Sequence, residues 1–268
     1  MTVKTVAIAG LGAIGKEIAD ALDRGIPGLR LDKVADAHAD HAKSVIGRYT
    51  RQPLLVPLDQ LTDADIIIEA MPPHLFVDIA RPAIEAGKIF VPCSVGALLQ
   101  HQELIGRAKM TGARIVVPTG AIAGLDAIRA IANEDVESIT LKSRKPPVGF
   151  KGVRFVEEQG IKLDEIREPT LLFRGNAIDA CQNFPANANV AGALSLAGIG
   201  PMRTGVEVWA DPSITRNIHQ IDAKSASVTL SITVENSPSP TNPKTSHLAP
   251  LSIIACLAGL AGHVKIGS

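Results

Sequence analysis

The stretch Val6-Ala7-Ile8-Ala9-Gly10-Leu11-Gly12-Ala13-Ile14-Gly15-Lys16-Glu17-Ile18-Ala19-Asp20-Ala21-Leu22 reads as a buried strand, a glycine turn and the opening of a helix. Its glycines occupy the first, third and sixth positions of Gly10-Leu11-Gly12-Ala13-Ile14-Gly15. Each has a steric reason. Gly10 permits the tight turn out of the strand, Gly12 puts no side chain in the way of a pyrophosphate, and Gly15 lets the helix lie close on the sheet. The N–H groups at the helix start, around Ala13 and Ile14, have no partner within the helix and add a partial positive charge facing the anion.

Glycine turns between strand and helix are common punctuation, so the surrounding chain decides. A strand near residues 29–35 ends in Asp36, 21 positions past Gly15, where an acid commonly bonds the adenosine ribose hydroxyls. An acid there repels a 2′-phosphate, so NAD is expected over NADP, with Lys33 and Lys43 the cations that would soften that preference. A short strand follows near 54–56. The run Ala64-Asp65-Ile66-Ile67-Ile68-Glu69-Ala70 is rich in β-branched residues and ends at Met71-Pro72-Pro73, where the chain leaves the sheet. This places Met71 on the carboxyl edge, where doubly wound sheets bind ligands. A helix over 75–86, a strand over 88–95, a helix over 97–110 and a strand over 113–118 complete an alternation that predicts a parallel sheet with right-handed crossovers.

Composition agrees. Hydrophobic residues make up 46% of the 268 and aromatics only 3%, an aliphatic balance suited to strands buried on both faces. Lys plus Arg equals Asp plus Glu at 27 each, which gives no electrostatic case for nucleic acid or an acidic membrane. The most apolar run, residues 248–262, contains Pro250 and falls short of the about 20 residues a membrane helix needs. Cys93, Cys181 and Cys256 are too few and too scattered for a disulfide framework or a zinc site. A reduced, cytoplasmic protein without metal is expected.

Past Thr119 the rhythm changes. A small-residue turn, Gly120-Ala121-Ile122-Ala123-Gly124, leads into a helix to about residue 132, then a strand over 137–143 ending in Arg144-Lys145-Pro146-Pro147. Residues 148–170 show little periodicity. Helices follow from Gly175 and up to Ala197, with strands over 205–210 and 227–236 and a candidate strand over 214–221. Strands grouped without alternating helices predict a second, α+β domain with an open mixed sheet. The expected division is a dinucleotide-binding Rossmann domain over 1–118, a catalytic and dimerisation domain over 119–248, and a C-terminal helix over 249–268 that returns to the first domain. A cleft between two such domains is a common place for a small substrate.

Hydride-transfer chemistry needs a group to move a proton and groups to hold the substrate's charge. Among seven histidines, His219 in Arg216-Asn217-Ile218-His219 lies inside the second domain, and His74 follows a strand end at the carboxyl edge. Lys145 and Lys244 stand beside proline turns, where a restrained backbone presents a cation to a carboxylate at low entropic cost; each also reads as an ordinary exposed basic loop. Asn187 and Asn189 flank a helix start, where capping explains one of them.

These motifs converge. The chain resembles the L-aspartate dehydrogenases, whose fold is akin to that of homoserine dehydrogenases. The resemblance spans nearly the whole length through AGLGAIG (9–15), CSVGAL (93–98), PTGAIAGLDA (118–127), SRKPP (143–147), FPANANVA (184–191), RNIHQI (216–221) and NSPSPTNPKTS (236–246). It lacks the paired histidines of dihydrodipicolinate reductases. Where sugar-type oxidoreductases carry Glu-Lys-Pro it has Pro92-Cys93-Ser94. The resemblance implies reversible, NAD(P)-dependent oxidative deamination of L-aspartate, giving iminoaspartate and then oxaloacetate and ammonia, with iminoaspartate able to feed NAD biosynthesis. It assigns the catalytic role to His219 and cofactor contacts to Ala123 and Asn189. A dicarboxylic amino acid requires cations, for which Lys145 and Lys244 are the candidates, and a homodimer through the second sheet is expected. The rival readings are another amino-acid or homoserine-type dehydrogenase on the same scaffold, and a non-catalytic NAD-binding sensor.

Overall fold

A computed structural model describes residues 3–185, 188–237 and 246–267. The chain divides into two compact units. The first runs to Pro118 and takes in Pro250–Ile266; the second is built from Thr119–Ala249.

In the first unit, strands β1 (Lys4–Ala9), β2 (Leu29–Ala35), β3 (Leu54–Leu55), β4 (Ile66–Glu69), β5 (Ile89–Pro92) and β6 (Arg114–Ile115) form one sheet in the order β3-β2-β1-β4-β5-β6. Every neighbouring pair is parallel. This is the doubly wound order with its reversal between β1 and β4, the place where such sheets bind ligands. The connections carry helices α1 (Ala13–Arg24), α2 (Ala39–Ile46), α3 (Phe76–Glu85), α4 (Val95–Gln100) and α5 (Glu103–Thr111). Val6 to Ala9 and Ile66 to Ile68 are all fully buried, as strands covered on both faces require.

Three details differ from the sequence reading. Between β2 and β3, where the sequence reading names no element, α2 buries Ala42, Val45 and Ile46, an apolar face at helical spacing. The helix expected over 97–110 is two helices, interrupted where His101 leaves helical geometry (φ −125°, ψ 50°). Lys33 is no cofactor cation; it is buried in β2, paired with Asp63 and bonded to the Gln60 carbonyl.

The second unit holds α6 (Leu125–Ile131), β7 (Val136–Lys145), α7 (Arg154–Glu158), β8 (Thr170–Asn176), α8 (Ala177–Asn183), α9 (Asn189–Ala197), β9 (Thr204–Ala210), β10 (Asn217–Ser225) and β11 (Thr229–Asn236). Its sheet runs β11-β10-β7-β9-β8. β7 and β9 are parallel and the other pairs antiparallel, so the sheet is mixed. The fold is therefore α/β, a Rossmann sheet plus a second α+β unit. Ile139, Leu141, Ser143 and Lys145 of β7 are buried on one face, as are Val206 and Val208 of β9 and His219, Ile221 and Ala223 of β10. The alternate residues Lys142, Arg144, Glu207, Trp209, Gln220 and Asp222 lie on the other face and are partly exposed.

Helix α10 (Leu248–Ala261) sends Ile253 and Leu257 into the same core as Val6, Ile8, Ile66 and Val91. Burying each of these side chains contributes about 2 kcal/mol. Pro250 sits in its first turn, where the missing N–H costs no helical hydrogen bond. Among the described residues no helix is long and apolar enough to cross a membrane.

Candidate active site

The glycine turn is fixed by contact. Gly10 has φ +94°, and a Cβ there would stand 2.5 Å from the Ala70 carbonyl oxygen. A Cβ on Gly15 would come within 1.8 Å of the Gly10 oxygen. Gly12 differs: nothing lies within 4 Å of where its Cβ would be. Open space above Gly12, next to the unpaired first-turn N–H groups of Ala13 and Ile14 in α1, suits an anion. A dinucleotide pyrophosphate fits a cradle of this shape.

Asp36, at the end of β2, faces the same turn. Its Oδ2 accepts from the Leu11 N–H at 2.6 Å and its Oδ1 from the His38 N–H at 2.8 Å. His41 Nε2 donates to the Leu11 carbonyl at 3.2 Å. Asp36 is thus a brace for the turn. On the other side of β1, Met71 follows β4, and its N–H donates at 3.1 Å to Oε1 of Glu69, the strand's last residue. Sequence reasoning passed over Glu69 because it ends a run whose other members are plainly core. Gly10, Gly12, Ala13, Ile14, Asp36 and Met71 therefore all belong to the carboxyl edge of the first sheet.

In the second unit, β7 and β10 pair antiparallel with His219 directly opposite Ser143. Side chains directly opposite share a face, and Ser143 Oγ lies 2.7 Å from His219 Nδ1. Lys145 is two residues further along the same face. Both are buried, His219 at 2% exposure and Lys145 at 6%, which corrects the exposed-loop reading of Lys145. The end of β7 is pinned by the Asp211 N–H, which donates to the Lys145 carbonyl at 2.9 Å. Asp211 is itself held by Ser213 and lies 3.5 Å from Arg144.

Burial governs the protonation of this cluster. Loss of hydration lowers the Lys145 ammonium to about 8. The His219 imidazole is pushed down to about 3, by burial first and by the Lys145 charge second. The ordinary imidazole value near neutrality therefore does not describe His219 without substrate, when the ring is neutral. Its Nδ1 is engaged with Ser143, which makes Nε2 the ring's other proton site. Ser143 was not singled out from the sequence, because only strand register reveals its partner 76 positions away.

Ala123 is exposed in the turn before α6, and Asn189 is the half-buried first residue of α9. That turn is held by Asn236, whose amide donates to the Ala121 carbonyl at 2.9 Å while its carbonyl accepts from Ser246 Oγ at 2.6 Å. Lys244 and Asn187 lie outside the described residues. Among the described residues no cluster of His, Cys, Asp or Glu has the makings of a metal site.

A glycine cradle on a sheet of this order is the phosphate site of dinucleotide-dependent dehydrogenases, and the first unit defines that class. Residues 10–118 match the family model for the homoserine dehydrogenase NAD-binding domain, and residues 126–260 match that for the aspartate dehydrogenase C-terminal region. The chain is 46% identical to an L-aspartate dehydrogenase of Bradyrhizobium diazoefficiens, covering 98% of this chain and 94% of that one. It is 44% identical to L-aspartate dehydrogenase 3 of Bordetella bronchiseptica, over 98% and 97%. A solved aspartate dehydrogenase from Thermotoga maritima shares the fold, with a TM-score of 0.73 at 23% identity over 98% of this chain and 99% of that one. The chain belongs to the L-aspartate dehydrogenase family, enzymes that work with a nicotinamide cofactor.

Proposed function

We propose that the protein catalyses the reversible oxidative deamination of L-aspartate with NAD. The observation that carries this reading is the buried Ser143–His219–Lys145 cluster, lying within the region matched by the aspartate dehydrogenase model. In the forward direction L-aspartate loses a hydride from Cα and a proton from nitrogen to give iminoaspartate. Water then adds to the imine carbon, and ammonia leaves to give oxaloacetate. When bound, the oxidised nicotinamide supplies the acceptor for that hydride.

The chain's own residues bind, orient and move protons. The open space at Gly12, the N–H groups of Ala13 and Ile14, and Met71 hold the cofactor, with Ala123 and Asn189 as further contacts. Asp36 bonds the ribose and disfavours a 2′-phosphate, which supports NAD over NADP. Lys145, charged at neutral pH, pairs with a substrate carboxylate, and Lys244 takes the other. His219, oriented through Nδ1 by Ser143, presents Nε2 to the reacting nitrogen or to water. The two carboxylates of a substrate beside His219 and Lys145 stabilise their protonated forms, so substrate binding brings the imidazole back toward the range in which it exchanges protons.

The same reading includes a cytoplasmic homodimer formed through the partly exposed face of the second sheet, and a product that feeds NAD biosynthesis. The deciding experiment measures NADH formation with L-aspartate, homoserine, L-glutamate and L-alanine. Turnover with L-aspartate well above the other three is expected; none in either direction, with NAD or NADP, rejects the reading.

A further inference from the structure

His41 takes no part in the proton chemistry of the second unit, yet the first unit gives it a fixed place. Ala42, Val45 and Ile46 seat α2 on the core around Val6 and Ile8. His41, four residues before Val45, lies beside that seated face. From there its Nε2 donates to the Leu11 carbonyl, inside the glycine turn, at 3.2 Å.

Leu11 is held at three points. Its side chain is 1% exposed in the core, its N–H donates to Asp36 Oδ2 at 2.6 Å, and its carbonyl accepts from His41. The third hold acts on the residue that follows. The Leu11–Gly12 peptide is trans, and a planar trans peptide sets its C=O and N–H in opposite directions. A carbonyl drawn to α2 therefore turns the Gly12 N–H away from α2. Among the described residues nothing accepts from that N–H, and nothing lies within 4 Å of where a Gly12 Cβ would be. Glycine is the residue least able to fix its own backbone, so this orientation has to be imposed from outside.

We propose that His41 is a positioning residue for the cofactor: by holding the Leu11 carbonyl against α2 it aims the Gly12 N–H at the pyrophosphate of the bound dinucleotide. It touches neither substrate nor reacting atoms and acts through one peptide group. The proposal rests on the reading of the glycine turn as the pyrophosphate site.

The test compares the parent with His41→Ala and His41→Gln. Dissociation constants for NAD and NADH, KM and kcat with L-aspartate as substrate, and melting temperature are measured on each. His41 is exposed, so both variants are expected to melt near the parent's temperature. Alanine removes the donor, and NAD and NADH are both expected to bind about fivefold more weakly. KM for NAD is expected to rise by the same factor while kcat is not reduced. Glutamine carries an N–H donor at a similar reach and is expected to restore both affinities to within about twofold of the parent. Unchanged affinity in His41→Ala, or glutamine no better than alanine, overturns the proposal and leaves the cofactor reading intact. So does His41→Ala melting far below the parent, which makes the role structural. Binding of neither nucleotide to the parent overturns both.

Discussion

Gly15 and Gly10 touch so closely that a methyl group on the first would stand 1.8 Å from the carbonyl oxygen of the second. The partner atom is backbone and has nowhere to go, so Gly15→Ala is expected to cost about 3 kcal/mol or more. Gly12, two residues beyond Gly10, has φ −66° and open space where its Cβ would be. Gly12→Ala is therefore expected to melt at the parent's temperature while binding NAD about tenfold or more weakly, the equivalent of roughly 1.4 kcal/mol. Thermal melts and calorimetric titrations on the two variants separate fold from cradle; undiminished NAD affinity in Gly12→Ala removes the pyrophosphate from this turn.

Asp36 serves the turn and the cofactor at once, so truncating it confounds the two. Asn keeps an oxygen for the Leu11 N–H and discards the charge. Asp36→Asn is expected to shift the NAD-to-NADP affinity ratio toward NADP by about tenfold with little change in melting temperature. An unchanged ratio would leave Asp36 as a brace alone.

Lys145 supplies a pH signature. Its ammonium is lowered from 10.5 to about 8, so it is charged at pH 7 and loses its proton as the pH rises through about 8. If that charge holds a substrate carboxylate, KM for L-aspartate rises through the same window. Lys145→Met is expected to raise KM about tenfold at pH 7 and to flatten its dependence between pH 7 and 9. Steady-state KM measured across that range is the check, and a parent curve without the rise would exclude the pairing.

His219 is legible in acid stability as well as in turnover. Unfolded, its imidazole takes a proton near 6.5; folded, it declines one until about 3. The unfolded state thus binds more protons between those values, and stability falls as the pH drops below 6.5, by up to about 1.4 kcal/mol per unit. Chemical denaturation of the parent and His219→Gln between pH 7 and 5 is expected to give a shallower decline in the variant. Its turnover is expected to fall about 10²-fold, with NADH affinity retained. Ser143→Ala leaves Nδ1 without its partner and is expected to cost about 1–3 kcal/mol.

The first sheet was readable because its strands are short β-branched runs punctuated by glycine and proline, as in Ile66-Ile67-Ile68 and Pro72-Pro73. Helix α2 was not, since polar Asp36, His38 and Asp40 mask the apolar face of Ala42, Val45 and Ile46 that it buries. Strand β8 hid in Thr170–Asn176, where Arg174 and Gly175 break the alternation and the pairing with β9 shifts register between Leu171 and Phe173. For the site, a local motif exposed the glycine cradle. Lys145 was named from its proline turn, but its burial depends on a face set by register across β7 and β10. Ser143 escaped notice because its partner is 76 positions away and a lone Ser in a strand carries no local mark, and Glu69 because it closes an apolar run that reads as core.

Helix α10 gives the two units an order of completion. The core around Val6, Ile8 and Ile66 lacks Ile253 and Leu257 until the segment beyond the second unit is present. On a ribosome, synthesis runs from the N-terminus and domains tend to fold as they emerge. Here the unit that emerges first must wait, its sheet formed but its hydrophobic face open, while the whole second unit is made. The first unit is thus completed only after the second has been made, so a chain stalled or clipped ahead of Pro250 exposes that face to chaperones and proteases.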